Sequence, residues 1–175
     1  MREFLRKIKL IDNFTTTLQI SKPDFITRLS RITDIGSTNM FLDPLEAFSS
    51  SKCEFKGEID RNGFKLRRRR KPFVRSNSIA IATGKMKEEN GQLTIQTEIY
   101  GFNNFMYFFY GFLLLFYIVF FVGFLSSDQI PIFIFPFLIF HGALMTLIPY
   151  FVMRSSVKKM KYELERDFFY LTKSN

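Results

Sequence analysis

The densest chemistry in this 175-residue chain is a run of cations, Arg67, Arg68, Arg69, Arg70 and Lys71, with Arg75 close behind. Guanidinium forks and an ammonium group at this density suit phosphate oxygens. In an extended chain, Arg67, Arg69 and Lys71 would face one way and Arg68 and Arg70 the other. Such a ribbon is either a solvated edge strand whose charges block pairing with other chains or a lipid- or anion-binding surface. Each cation near an anionic leaflet contributes about 1 kcal/mol, so the run could dock a domain on a membrane. Nucleic acid is disfavoured as a partner, because the run lacks interleaved aromatics and no known nucleic-acid module surrounds it.

His141 is the single histidine, and it lies near the middle of a long apolar stretch. An ionisable side chain at such a place is a functional-site candidate. No Asp, Glu, Lys or Arg accompanies it there, so a proton relay has no second member. Tyr107, Tyr110, Tyr117 and Thr146 are the side chains that could bond it, and a neutral imidazole held by a neighbouring helix is the plain reading. Pro131 suits a helix start, whereas Pro136 is expected inside the helix, where it would remove a backbone bond and kink it. Gly142 and Ala143 permit close helix approach.

With one His and one Cys, no metal site is expected within a single subunit. Cys53 alone cannot form an internal disulfide, which suits a reducing compartment. The chain has no phosphate-cradling Gly-rich loop, nucleophile elbow, His-Glu-x-x-His pair or Cys-x-x-Cys. We therefore expect no catalytic residue and no cofactor, and read the chain as non-enzymatic.

The elements that would position these residues fall into three segments. Residues 105–153 are apolar apart from a short interruption around Ser126, Ser127, Asp128 and Gln129. About 20 apolar residues in a helix cross the ~30 Å hydrocarbon core, so 105–125 and 131–153 read as a transmembrane hairpin. The net charge of +9 is carried by the flanks, and the turn holds only Asp128. Basic residues on both flanks and none in the turn predict that both termini are cytoplasmic. The N-terminus has no continuous apolar core of a signal peptide.

Residues 1–104 read as a cytoplasmic α+β domain. Residues 2–11 fit either a short helix or a strand, and Phe14, Thr16, Leu18 and Ile20 alternate with polar neighbours as a half-buried strand does. Ser21 and Asp24 form a capping pattern for a helix from about Pro23 to Asp34, with Phe25, Leu29 and Ile32 on its apolar stripe. Residues 36–51 read as a loop. Alternation then predicts strands from Cys53 to Ile59, from Phe64 into the Arg run, from about Asn77 to Lys87, and from Leu93 to Tyr100. Asn62-Gly63 predicts the first hairpin turn. The sum is a small antiparallel sheet with one helix against it. Residues 154–175 read as a charged helical tail. Its stripe of Val157, Met160, Leu164, Phe168 and Leu171 would pack on the sheet, lie on the membrane or meet a second copy.

The stretch from Phe55 to Leu66, FKGEIDRNGFKL, followed by an Ile- and Thr-rich strand and two apolar helices, resembles a pattern in small uncharacterised bacterial membrane proteins. Those proteins place a cytoplasmic β-rich domain before a two-helix hairpin, and the resemblance implies no activity. The expectation is a multi-pass protein of a bacterial cytoplasmic membrane whose domain binds, senses or assembles with a partner. Membrane lipids, a second copy or a membrane-complex subunit are the expected partners. An oligomerising membrane-disrupting effector and a subunit of a small channel or transporter are the alternatives.

Overall fold

The computed structural model describes residues 1–39, 51, 53–69, 78–89, 91–126 and 133–173. Most of the 36–51 loop, the cations Arg70, Lys71 and Arg75, and the turn with Pro131 lie outside the described residues. Residues 1–103 and 153–175 form one compact unit, and residues 104–152 a second.

The first unit is built on a six-stranded mixed sheet. Its elements are α1 (Arg2–Lys7), β1 (Ile11–Leu18), α2 (Lys22–Arg31), β2 (Thr33–Ile35), β3 (Phe55–Ile59), β4 (Gly63–Arg68), β5 (Ile81–Glu89) and β6 (Gln92–Tyr100). The strand order is β1-β6-β5-β4-β3-β2. The last four strands form the expected antiparallel meander, and β1 closes on β6 with Leu18 opposite Leu93. The expected purely antiparallel sheet is corrected by β2, which runs parallel to β3. The predicted helix over 23–34 stops at Arg31, and its last residues supply that strand. Thr33 closes the helix through its hydroxyl, which donates to the Leu29 carbonyl at 2.8 Å.

Local chemistry accounts for the boundaries. Ser21 caps α2, accepting from the Asp24 amide at 3.3 Å and donating to its carboxylate at 2.6 Å. Helix α1 ends with Lys9 at φ +58. The Lys9 amide returns to the Arg6 carbonyl at 3.0 Å and that of Leu10 to Leu5 at 2.9 Å, a Schellman closure. At the first hairpin, Asn62 and Gly63 do not take positive φ. The Asp60 carboxylate instead folds the turn, accepting from both of their amides at 2.6 Å. At the β5–β6 turn Gly91 does take φ +74, which glycine adopts without steric cost.

One face of the sheet is apolar. It presents Phe64, Leu66, Ala82, Met86, Leu93, Ile95 and Ile99, over which α2 lays Phe25 and Leu29. Gly84 leaves room for the Phe64 ring: a Cβ there would stand 2.1 Å from it. The other cover comes from α4 (Ile134–Lys173), whose Val157, Met160, Leu164 and Phe168 are buried in the same core. Of the three places open to the tail stripe, the structure uses the sheet. The Phe168 ring meets Phe14 at 6.4 Å, Phe25 at 5.3 Å and Phe64 at 5.8 Å, joining β1, α2 and β4.

Thr97 stands on this apolar face, 2 % exposed, with its hydroxyl unpartnered among the described residues. A buried hydroxyl without a partner costs about 1–3 kcal/mol. Thr97→Val is therefore expected to raise stability by about 1 kcal/mol, seen as a higher thermal midpoint of the purified protein.

The second unit holds α3 (Asn104–Leu125) and the apolar part of α4. Both helices are long and apolar enough to cross a membrane. Many of their side chains are exposed, among them Phe112, Leu114 and Phe121 in α3 and Phe137, Ile139 and Phe151 in α4. Helix α4 begins at Ile134, which corrects the expected place of the kink. Pro136 falls in the first turn, where amides have no helical acceptor and a proline removes nothing. The proline inside α4 is Pro149, whose missing amide leaves the Met145 carbonyl without its helical donor.

Candidate functional site

The described part of the Arg run belongs to the end of β4 and the residue after it. Arg68 shares the sheet face of Leu66 and meets α4 there, while Arg67 and Arg69 alternate to the opposite face. Arg68 places one guanidinium nitrogen 2.6 Å from the Glu163 carboxylate. With the other it donates to Glu54 at 2.8 Å. Arg69 is paired with Asp34 of β2. Arg67 is fully buried, and its guanidinium approaches the Arg68 carbonyl at 3.5 Å. Arg67 and Arg69 are thus not the solvated ribbon that alternation alone would give. Three described cations are turned into the unit, with the carboxylates of Glu54, Asp34 and Glu163 beside them.

Such an arrangement fixes geometry: a guanidinium held by two carboxylates on separate elements locks β4 to α4 and to the start of β3. Among the described residues, no cluster of three or more His, Cys, Asp or Glu could hold a metal ion. The residue that sequence reasoning missed is Glu163. Its signal was its place on the tail stripe, one residue before Leu164 and three after Met160, where an acid needs a buried partner.

A second polar group lies on the opposite sheet face. Arg6 of α1 is 3.0 Å from Glu98, Arg2 stands 5.7 Å from the centre of the Tyr100 ring, and the Tyr100 hydroxyl donates to Glu98. Partial burial pushes the Glu98 carboxyl up, but the Tyr100 hydroxyl and then Arg6 and Arg2 outweigh it, so its pKa is lowered. Tyr100 is raised, by burial first and by the Glu98 carboxylate second. A lowered carboxyl contributes stability that is present above the ordinary carboxylate range and is lost as pH falls through the lowered value. Acidification through that window is expected to loosen α1 by about 1 kcal/mol or less, because Arg6 is half exposed. Amide exchange in α1 as a function of pH measures this, and Glu98→Gln should remove the dependence.

In the second unit, His141 accepts or donates through Nδ1 to the Tyr117 hydroxyl at 2.6 Å. Its ring stacks on Phe137, with centres 6.1 Å apart and planes within 16°. Tyr117 also lies against Gly142, where an added Cβ would come within 3.3 Å of its hydroxyl. Two turns of α3 earlier, the Tyr110 hydroxyl donates to the Thr146 carbonyl at 3.3 Å. These bonds tie α3 to α4. His141 is thus bonded to the neighbouring helix.

Comparison with protein-family models, with curated proteins and with solved structures finds no match to this chain. A small β-sheet unit and two long apolar helices are present, which is compatible with the expected order of a β-rich domain before an apolar hairpin.

Proposed function

We propose that the chain is an integral membrane protein in which α3 and the apolar part of α4 are two spans. The sheet unit then stands at the cytoplasmic face and acts without enzymatic chemistry, binding, sensing or assembling with a partner. The observation that carries the reading is the shared core of residues 1–103 and 153–175. Segments packed into one core must lie on one side of a membrane, so an apolar insert between them returns to the side it left. Basic residues on both flanks support the cytoplasmic side. The inward-turned arginines support a structural module, since the most conspicuous cations serve the fold.

Reporter fusions at residues 1 and 175 should both report cytoplasm, and an external signal from either end would sink the topology. Gentle-detergent purification should bring down a stoichiometric partner, without toxicity on overexpression. Toxicity that disappears on deletion of residues 104–152, with no such partner, would favour the membrane-disrupting effector instead.

A further inference from the structure

With Arg67, Arg68 and Arg69 turned inward, a group of cations remains in α4 just after its apolar part. From Arg154 to Tyr162 the sequence RSSVKKMKY holds four bases and no acid. In the same turns Met153, Ser156, Val157 and Met160 are buried. The helical register therefore leaves Arg154 and Lys158 exposed and Lys159 half-buried at the margin. Lys161 is taken by Asp12 at 3.1 Å. At about 1.5 Å per residue, Arg154 to Lys159 fall within ~10 Å of Val152 along the helix. The polar layer of a bilayer is roughly 5–8 Å deep on each side, and long basic side chains extend their reach into it. Tyr107 opens α3 and Tyr150 closes the apolar part of α4, while Tyr110 and Tyr117 lie deeper, bonded to Thr146 and His141. Tyrosines at such ends favour the water–lipid boundary.

We infer that Arg154, Lys158 and Lys159 form a collar that binds the phosphates of anionic lipid headgroups in the leaflet where α3 begins. The collar is a cationic surface without an acid of its own, complementary to that leaflet, and it rests on the membrane reading above.

The test uses the full chain in nanodiscs of phosphatidylcholine mixed with phosphatidylglycerol, with native mass spectrometry of the retained lipids. The unaltered protein should retain phosphatidylglycerol in preference. R154Q/K158Q/K159Q should reduce that preference by about fivefold per cation, roughly 100-fold for three. K65Q/K85Q, which removes exposed cations from the sheet, should leave the preference intact. An unchanged preference in the triple variant, an equal loss in the control, or complete displacement of the lipid by inorganic phosphate would each overturn the collar. The triple variant alters only the outer side of α4, so its melting in phosphatidylcholine alone should match the parent. A marked drop there would make the three residues structural and overturn the assignment. An alkaline carbonate wash separates the two readings: release of the unaltered protein removes the membrane reading itself, whereas retention with a failed lipid test removes only the collar.

Discussion

Phe168→Ala is expected to destabilise the sheet unit by about 3–5 kcal/mol, the range for truncating a large buried aromatic. The residue is fully buried, and its ring is the common neighbour of Phe14, Phe25 and Phe64. No single strand can collapse into the space it would leave, because its neighbours come from β1, α2 and β4. The loss should therefore lie at the upper end of the range. Phe169→Ala, one residue on and half exposed, should cost well under 1 kcal/mol. Thermal unfolding followed by circular dichroism in detergent micelles compares the two. Equal shifts would mean that the tail does not complete this core.

The second large effect belongs to the Arg68–Glu163 pair. Glu163 is 6 % exposed, and Arg68 would keep only the more exposed Glu54 if Glu163 were lost. Removing one partner of a buried pair costs about 3–5 kcal/mol, because the other charge remains without compensation. Glu163→Ala is expected to fall in that range. Replacing both partners by apolar side chains of similar volume, R68M/E163L, should recover most of the loss, since the desolvation of both charges disappears with them. Urea unfolding of the parent, the single and the double variant measures this. A double variant as unstable as Glu163→Ala would show that the charges themselves, and not their mutual compensation, hold β4 to α4.

What could be read in the sequence was what is encoded locally. The Ser21 cap, the Phe25 and Leu29 stripe, the meander from Phe55 to Tyr100 and the tail stripe from Val157 to Phe168 follow from short-range period and turn chemistry. Strand β2 did not show itself: three residues carry no measurable alternation, and Thr33 is held as a strand by Phe55, far along the chain. The pairing of β1 with β6 is likewise long-range. The Arg run misled for the same reason. A row of cations looks solvated until the acids that meet it, Asp34, Glu54 and Glu163, are brought in from three separate stretches of the chain. Pro136 turned on a boundary, since a helix start displaced by a few residues converts an interior proline into a first-turn one.

The tail's place in the core also sets an order of events during synthesis. The sheet's last strand is complete at Tyr100, yet the helix that covers its apolar face ends at Lys173. At about 5–20 residues per second, the ribosome needs roughly 4–15 s to supply that cover, and both apolar helices emerge in the interval. If α3 and the apolar part of α4 are spans, as proposed above, the sheet waits with only α2 on its apolar face while they insert, and folding of the unit becomes a closing step that follows insertion. A chain whose hairpin went in with the wrong orientation would leave its tail on the far side and its sheet uncovered, a species that quality-control proteases recognise by exposed apolar surface.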